Sequence, residues 1–119
     1  MTTSLQEGPV ILIGYEYRLQ LEAEGDLFPD GASFAGQMRS AISAAGVLAD
    51  LSSAAGSVRR VDDRTLEIIL APAITGSLTP GSVVLDLVRT DLTPDRHLGF
   101  LLEIPVLLPV TRLPASGEL

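Results

Sequence analysis

The 119 residues include no cysteine, no tryptophan, no lysine and a single histidine, His97. Without cysteine there are no disulfides, thiolate metal centres or thiol nucleophiles, and the redox compartment is left open. One histidine excludes a multi-histidine metal cluster. The eight basic residues are all arginine (18, 39, 59, 60, 64, 89, 96 and 112) and face fifteen acidic ones, for a formal net charge of −7 and a pI near 4.4. Such a mean field repels polyphosphate, so nucleic acid is not an expected partner. Aromatic residues make up only 4%, and they fall mostly on core-facing parities, which argues against the stacking platforms of a carbohydrate-binding module. The most apolar run, Leu98 to Val110, is too short to span a bilayer as a helix and contains Glu103, Pro105 and Pro109. Membrane insertion is not expected. The first eight residues lack the basic residues and long apolar stretch of a secretory signal, so synthesis in the cytoplasm is the expectation.

What is present is enough for one core. With 46% hydrophobic and 19% charged residues and a mean hydropathy of +0.37, the chain has the composition of a folded domain and the length of only one. Residues 15–24 alternate strictly, with Tyr15, Tyr17, Leu19, Leu21 and Ala23 on one parity and Glu16, Arg18, Gln20, Glu22 and Glu24 on the other, which specifies a half-buried strand. Pro29-Asp30-Gly31 reads as a turn, followed by a strand over 33–40 with Phe34, Gly36 and Met38 inward. A short strand is placed at 47–51. Residues 57–61 and 65–70 form a hairpin around Asp62-Asp63-Arg64, a helical turn follows over 71–78, and Thr79-Pro80-Gly81 turns the chain into a strand over 82–90. From Leu98 to Val110 every even position is apolar, and the prolines at 105 and 109 require part of this strand to lie at a sheet edge or a bulge.

About seven or eight short strands with one short helical turn indicate an all-β, antiparallel sandwich of the immunoglobulin-like kind. The domain is placed at residues 10–112, with residues 1–9 as a mobile arm and 113–119 as a C-terminal tail. Inward positions are Tyr17, Leu19, Leu21, Leu66, Ile68, Val83, Leu85, Leu87, Phe100, Leu102 and Ile104.

Catalytic chemistry has little to work with. His97 beside Asp95 and Arg96 is the natural candidate base, but in a polar loop it reads as a solvated residue. The serines at 40, 43, 52, 53 and 57 lie outside any Gly-x-Ser-x-Gly elbow. Asp62 with Asp63, or Asp91 with Asp95, lacks the dense ligand spacing of a calcium loop. No catalytic residue, metal or cofactor is therefore assigned. The informative anomaly is apolar residues on the outward parity: Ile69, Val84, Val88, Leu101 and Leu107. Together they predict a patch that packs on another copy or a partner, since a monomer would leave them in water beside Asp86 and Glu103.

The segments Gly31-Ala-Ser-Phe-Ala-Gly-Gln-Met-Arg39, Leu66-Glu-Ile-Ile-Leu-Ala71, Leu78-Thr-Pro-Gly81, Val84-Leu-Asp-Leu-Val-Arg-Thr90 and Val106-Leu-Leu-Pro-Val-Thr-Arg112 resemble the small β-sandwich domains of tailed-phage virions, in particular the N-terminal domain of baseplate upper proteins that anchor receptor-binding fibres. The resemblance spans roughly residues 10–112 and carries no catalytic residues. It implies a virion structural protein that oligomerises, with a trimeric or pentameric ring favoured, and that contacts a capsid or tail protein. Members of the baseplate kind continue into a long fibre, whereas this sequence ends at Leu119, so the spike or fibre is expected on a separate chain. A head-spike base of a phage or a phage-derived gene transfer agent, or a tail adaptor, fits that expectation. The alternative is a cellular adhesin-like sandwich that recognises a protein or a glycan.

Overall fold

The computed structural model describes residues 5–111. Its strands are β1 (Leu5–Glu7), β2 (Ile11–Leu12), β3 (Tyr17–Glu22), β4 (Phe34–Arg39), β5 (Ala49–Ser52), β6 (Val58–Asp62), β7 (Thr65–Leu70), β8 (Gly81–Arg89), β9 (Arg96–His97) and β10 (Leu101–Leu107), with one helical turn, α1 (Pro72–Thr75), between β7 and β8. They form two sheets. The larger runs β1-β10-β8-β4-β5, with β2 continuing β1 along β10 and β9 pairing with β8; the smaller runs β3-β7-β6. Taking β3 to β8 and β10 as strands B, C, C′, D, E, F and G, the small sheet is B-E-D and the large one G-F-C-C′, which is the immunoglobulin-type order. β1 and β2 run parallel to β10, so the first and last parts of the described chain close one edge of the larger sheet.

The period-two patterning acts as read. On β3 the side chains of Tyr17 and Leu19 are buried and Leu21 packs against the core, opposite Leu70, Ile68 and Leu66 of β7. Val83, Leu85 and Leu87 of β8 and Leu102, Ile104 and Val106 of β10 supply the facing layer. Between β3 and β4, Phe28 tucks under the sandwich and meets Phe34 edge to face, with ring centroids 5.7 Å apart. The link from β7 to β8 is a single helical turn because Pro72 presets the first turn. Its fully buried Thr75 hydroxyl donates to the Tyr15 carbonyl (2.8 Å) and accepts from the Gly14 N–H (3.1 Å). That pair fastens the turn to the chain entering β3.

Two residues of the larger sheet sit where its pairing demands them or tolerates them. Pro105 lies in β10, whose odd residues turn their backbone groups toward β1 and β2: Glu103 accepts from Gly8 N–H (2.9 Å) and Leu107 from Ile13 N–H (3.0 Å). Pro105 falls between these two bonds, at the break between β1 and β2, where no ladder donor is required. Gly36 of β4 faces Leu87 of β8. A Cβ there would sit 2.2 Å from the Asp86 carbonyl oxygen and 2.6 Å from Leu87 Cδ2, so only glycine allows β4 and β8 to close.

Several expectations are corrected. Leu5–Glu7, assigned to a mobile arm, is strand β1 paired with Leu101–Glu103; residues 1–4, Arg112 and the tail 113–119 lie outside the described residues. The strand placed at 47–51 is Ala49–Ser52, and Val47 and Leu48 are exposed. The even-residue stripe after Leu98 stops at Val106, because β10 ends at Leu107 and the chain leaves the sheet; Leu108 and Val110 are exposed.

Two measurements test this packing. Gly36→Ala, which adds only a methyl group, is expected to destabilise by about 1–3 kcal/mol or more through overpacking, and Leu85→Ala by about 2–5 kcal/mol through a cavity, both read by chemical denaturation. A Gly36→Ala protein as stable as wild type would mean the strands are not in this register. Tyr17 donates its hydroxyl proton to the Pro9 carbonyl (2.7 Å), and burial pushes its pKa up to about 12 from 10.0. The folded state thus holds this proton more tightly than the unfolded chain. The associated stability is complete below pH 10 and is lost as the pH rises toward 12, a decline that Tyr17→Phe is expected to remove from melting curves.

Candidate functional site

The outward face of the larger sheet is the part of the molecule that the core does not explain. Along β8 the residues pointing away from the smaller sheet are Ser82, Val84, Asp86 and Val88, and along β10 they are Leu101, Glu103, Pro105 and Leu107. The register sets them in rows: Ala35, Val88 and His97; Gln37 beside Asp86; Arg39, Val84 and Glu103; Ser82 beside Pro105. Leu107 pairs with Leu12 of β2, and both are exposed, at 53% and 41%. Ala35 is small, so a hollow of about 420 Å³ opens over it, walled by Gln37, Asp50, Ser52, Asp86 and Val88. A tighter hollow of about 170 Å³ lies beyond Gln37 and Asp86 and is lined by Arg39, Ile42, Val84 and Leu101.

The five residues expected to form one patch divide. Val88, Leu101 and Leu107 share this face, with Val88 and Leu101 half-buried. Val84 is on it too but is only 8% exposed, because Arg39 and Glu103 flank it and Ile42 lines the same hollow. The Arg39 guanidinium donates to the carbonyls of Ala44 (3.0 Å) and Ala45 (2.8 Å) and to Gln37 Oε1 (2.6 Å), holding the loop after β4 against the sheet. The expectation that a monomer leaves Val84 in water is therefore corrected. Ile69 is corrected in a different way, since β7 belongs to the smaller sheet and its outward residues face the opposite side of the sandwich.

Next to Ile69, Glu67 is buried on that opposite face and is covered by Arg59 (2.9 Å) and Arg18 (3.5 Å). The alternation marked Glu67 as outward but could not show that two arginines from neighbouring strands would close over it. Leu12 and Ile42 were also missed. A two-residue strand is too short to declare a parity, and Ile42 sits in a loop without periodicity.

His97 is exposed to solvent, as read from the sequence, but it sits in a strand and not in a loop. It lies in β9, where its Nε2 is 2.8 Å from Asp86 Oδ2 and its Nδ1 accepts the Gly99 N–H at 2.9 Å. The Gly99 bond leaves Nε2 to carry the proton given to Asp86. The sequence neighbours Asp95 and Arg96 are not its partners. The histidine thereby braces the backbone between β9 and β10, where Gly99 takes a positive φ of 87°.

The serines and acids have local structural duties. Ser57 Oγ accepts from Ser52 N–H (2.9 Å) and Ser53 Oγ from Phe34 N–H (3.0 Å). Asp62 accepts the Arg64 N–H (2.8 Å), Asp63 pairs with Arg60, and Asp26 pairs with Arg64 (3.1 Å). Among the described residues no group of three or more acidic or histidine side chains has metal-binding geometry. Asp91 is held by Arg89 (2.5 Å) and by the Ser33 N–H (3.2 Å). These contacts, with the arginine hydrogen bond the larger, bring its pKa down to about 2 from 3.8.

Two outcomes are expected from these contacts. The folded state favours ionised Asp91, so this stabilisation is full above about pH 4 and is lost as the pH falls toward 2; Asp91→Asn should melt earlier at pH 7 and show a flatter decline on acidification. Val88→Glu should leave the circular dichroism spectrum and the fold intact, since its side chain points away from the core.

The sequence matches no protein-family model and no curated protein.

Proposed function

We propose that this chain is a non-enzymatic virion structural protein, an adaptor or base that assembles with further copies and holds a separate spike or fibre chain on a phage-like head or tail. The observation that carries the reading is the aliphatic surface on the outward face of the larger sheet, where Leu12, Val88, Leu101 and Leu107 are wholly or partly open on strands whose other face already forms the core. An immunoglobulin-type sheet with apolar residues on both faces is suited to packing against a second sheet. Of the sequence motifs that resemble phage baseplate domains, those at 31–39, 66–71 and 84–90 fall largely on β4, β7 and β8, strands that build this face and its backing, while 78–81 forms the turn into β8 and 106–112 starts at the end of β10. His97 is engaged on one side with Asp86 and on the other with the Gly99 backbone, where it supports the turn between β9 and β10.

The reading is tested on particles. An antibody against this chain is expected to label phage-like particles from the host at their fibre-attachment points. In a host that carries Val88→Glu in place of the wild-type gene, the folded protein should be left in the soluble fraction, because a carboxylate buried without a partner in the contact is costly. Particles that carry fibres and contain none of the chain would overturn the proposal. Label confined to the cell envelope would favour an adhesin-like module instead.

A further inference from the structure

We infer that the free edge of β3 is a docking site for the same strand of a second copy, so that two small sheets join antiparallel across a two-fold axis. This contact does not depend on the outward face of the larger sheet or on the proposed function.

The argument starts from the edges. Each sheet has two, and three of the four are closed to strand addition in the ways sheets ordinarily use. The β1 and β2 edge is broken at residues 8–10, which include Pro9. The β5 edge is four residues long, and its outward Ser52 N–H is taken by Ser57 Oγ. The β6 edge shifts register between Arg60 and Asp62. β3 has none of these devices: it pairs with β7 in unbroken register over six residues and contains no proline.

Which backbone groups β3 leaves open follows from its ladder. Ala23 N–H donates to the Arg64 carbonyl, so the odd residues turn toward β7 and the even ones away from it. The N–H groups of Arg18, Gln20 and Glu22 point outward, and none of them has a partner among the described residues. Beside this edge, a cleft of about 340 Å³ opens between the two sheets. Leu19, Leu21, Phe28, Phe100 and Leu102 line it, and Leu21 is only half-buried.

The side chains select the occupant. If two copies of β3 pair antiparallel with Gln20 opposite Gln20, every outward backbone group meets its counterpart, and Arg18 of each copy lies opposite Glu22 of the other. The strand is thus complementary to itself in charge, as an isologous contact requires. On the inward side, Leu21 of one copy comes to lie opposite Leu19 of the other, at the mouths of the two clefts. Sliding the pairing by two residues, to Arg18 opposite Gln20, sets Glu16 opposite Glu22 in place of the ion pairs, and sliding it by one sets the open backbone groups of the even residues opposite odd residues whose own groups already bond β7. To meet the new partner Arg18 turns from Glu67 (3.5 Å), which keeps Arg59, and from its nearer partner Glu16 (2.9 Å), an exposed pair that contributes little. A two-fold pair of this kind differs from the cyclic ring implied by the phage resemblance; both contacts together would give dihedral symmetry.

The test is sedimentation equilibrium of the full chain, with residue-resolved amide exchange. Wild type is expected to dimerise, with the amides of Arg18, Gln20 and Glu22 protected as concentration rises. Arg18→Glu should raise the dissociation constant by about tenfold or more, and adding Glu22→Arg to it should restore pairing. Gln20→Pro removes an outward N–H without touching the β7 ladder and should give a folded monomer; should it fail to fold, the charge-reversal pair decides alone. A wild type that stays monomeric with those three amides exchanging freely overturns the inference. So does a dimer that ignores the charge reversal, or one that Val88→Glu disrupts instead.

Discussion

Everything else in this molecule depends on the apolar contact between its two sheets. In antibody domains of the same strand order a disulfide spans the two sheets; a chain without cysteine has only side-chain packing for that purpose. The contact is built from Leu19, Leu66, Ile68 and Leu70 on one side and Met38, Val83, Leu85, Leu87, Leu102 and Ile104 on the other, nearly all of them excluded from water. Aliphatic side chains in low-energy rotamers interlock well at this density, but the strands that carry them must approach closely. Gly36 against the Asp86 carbonyl is where β4 and β8 come closest, and Pro105 is accommodated at the gap between β1 and β2 where its missing N–H is not needed.

Once the inner faces are committed to the core, the outer faces and edges are what remains for partners. The two outer faces have been treated differently. The smaller sheet carries a buried glutamate with two arginines over it, an arrangement that presents charge to solvent and discourages stacking. The larger sheet carries half-open aliphatic residues, two hollows and a histidine that braces the backbone between β9 and β10. The edges divide in the same way, three closed by a break, a side-chain cap or a register shift, and one, β3, of unbroken register and unpaired among the described residues. These contrasts within a single domain motivate the assembly readings more than any feature taken alone.

Much of the fold was legible in the residues because a strand in a two-layer sandwich has only two environments. Tyr17, Leu19 and Leu21, or Leu66, Ile68 and Leu70, could be placed inward from their spacing, and the structure puts them there. Legibility ended where the period ended. Ala49–Ser52 was displaced by two residues in a loop rich in alanine and serine, Leu108 and Val110 continued a stripe past the end of its strand, and Leu5–Glu7 gave no sign that it would pair with Leu101–Glu103, nearly a hundred positions away.

The candidate site marks the boundary between the two kinds of information. Parity along one strand is a local property, so the sequence by itself determined which residues turn away from the core: Ile69, Val84, Val88, Leu101 and Leu107 all do. Whether residues that turn away meet one another, or meet water, depends on which strands become neighbours and what lies across them. Only the tertiary structure decided that Ile69 belongs to the other sheet, that Arg39 and Ile42 shelter Val84, that Leu12 joins Leu107, and that His97 reaches Asp86 instead of its neighbours in the chain. The physical reason is that side-chain direction follows from the alternating backbone of a single strand, whereas exposure follows from pairings between strands far apart in sequence.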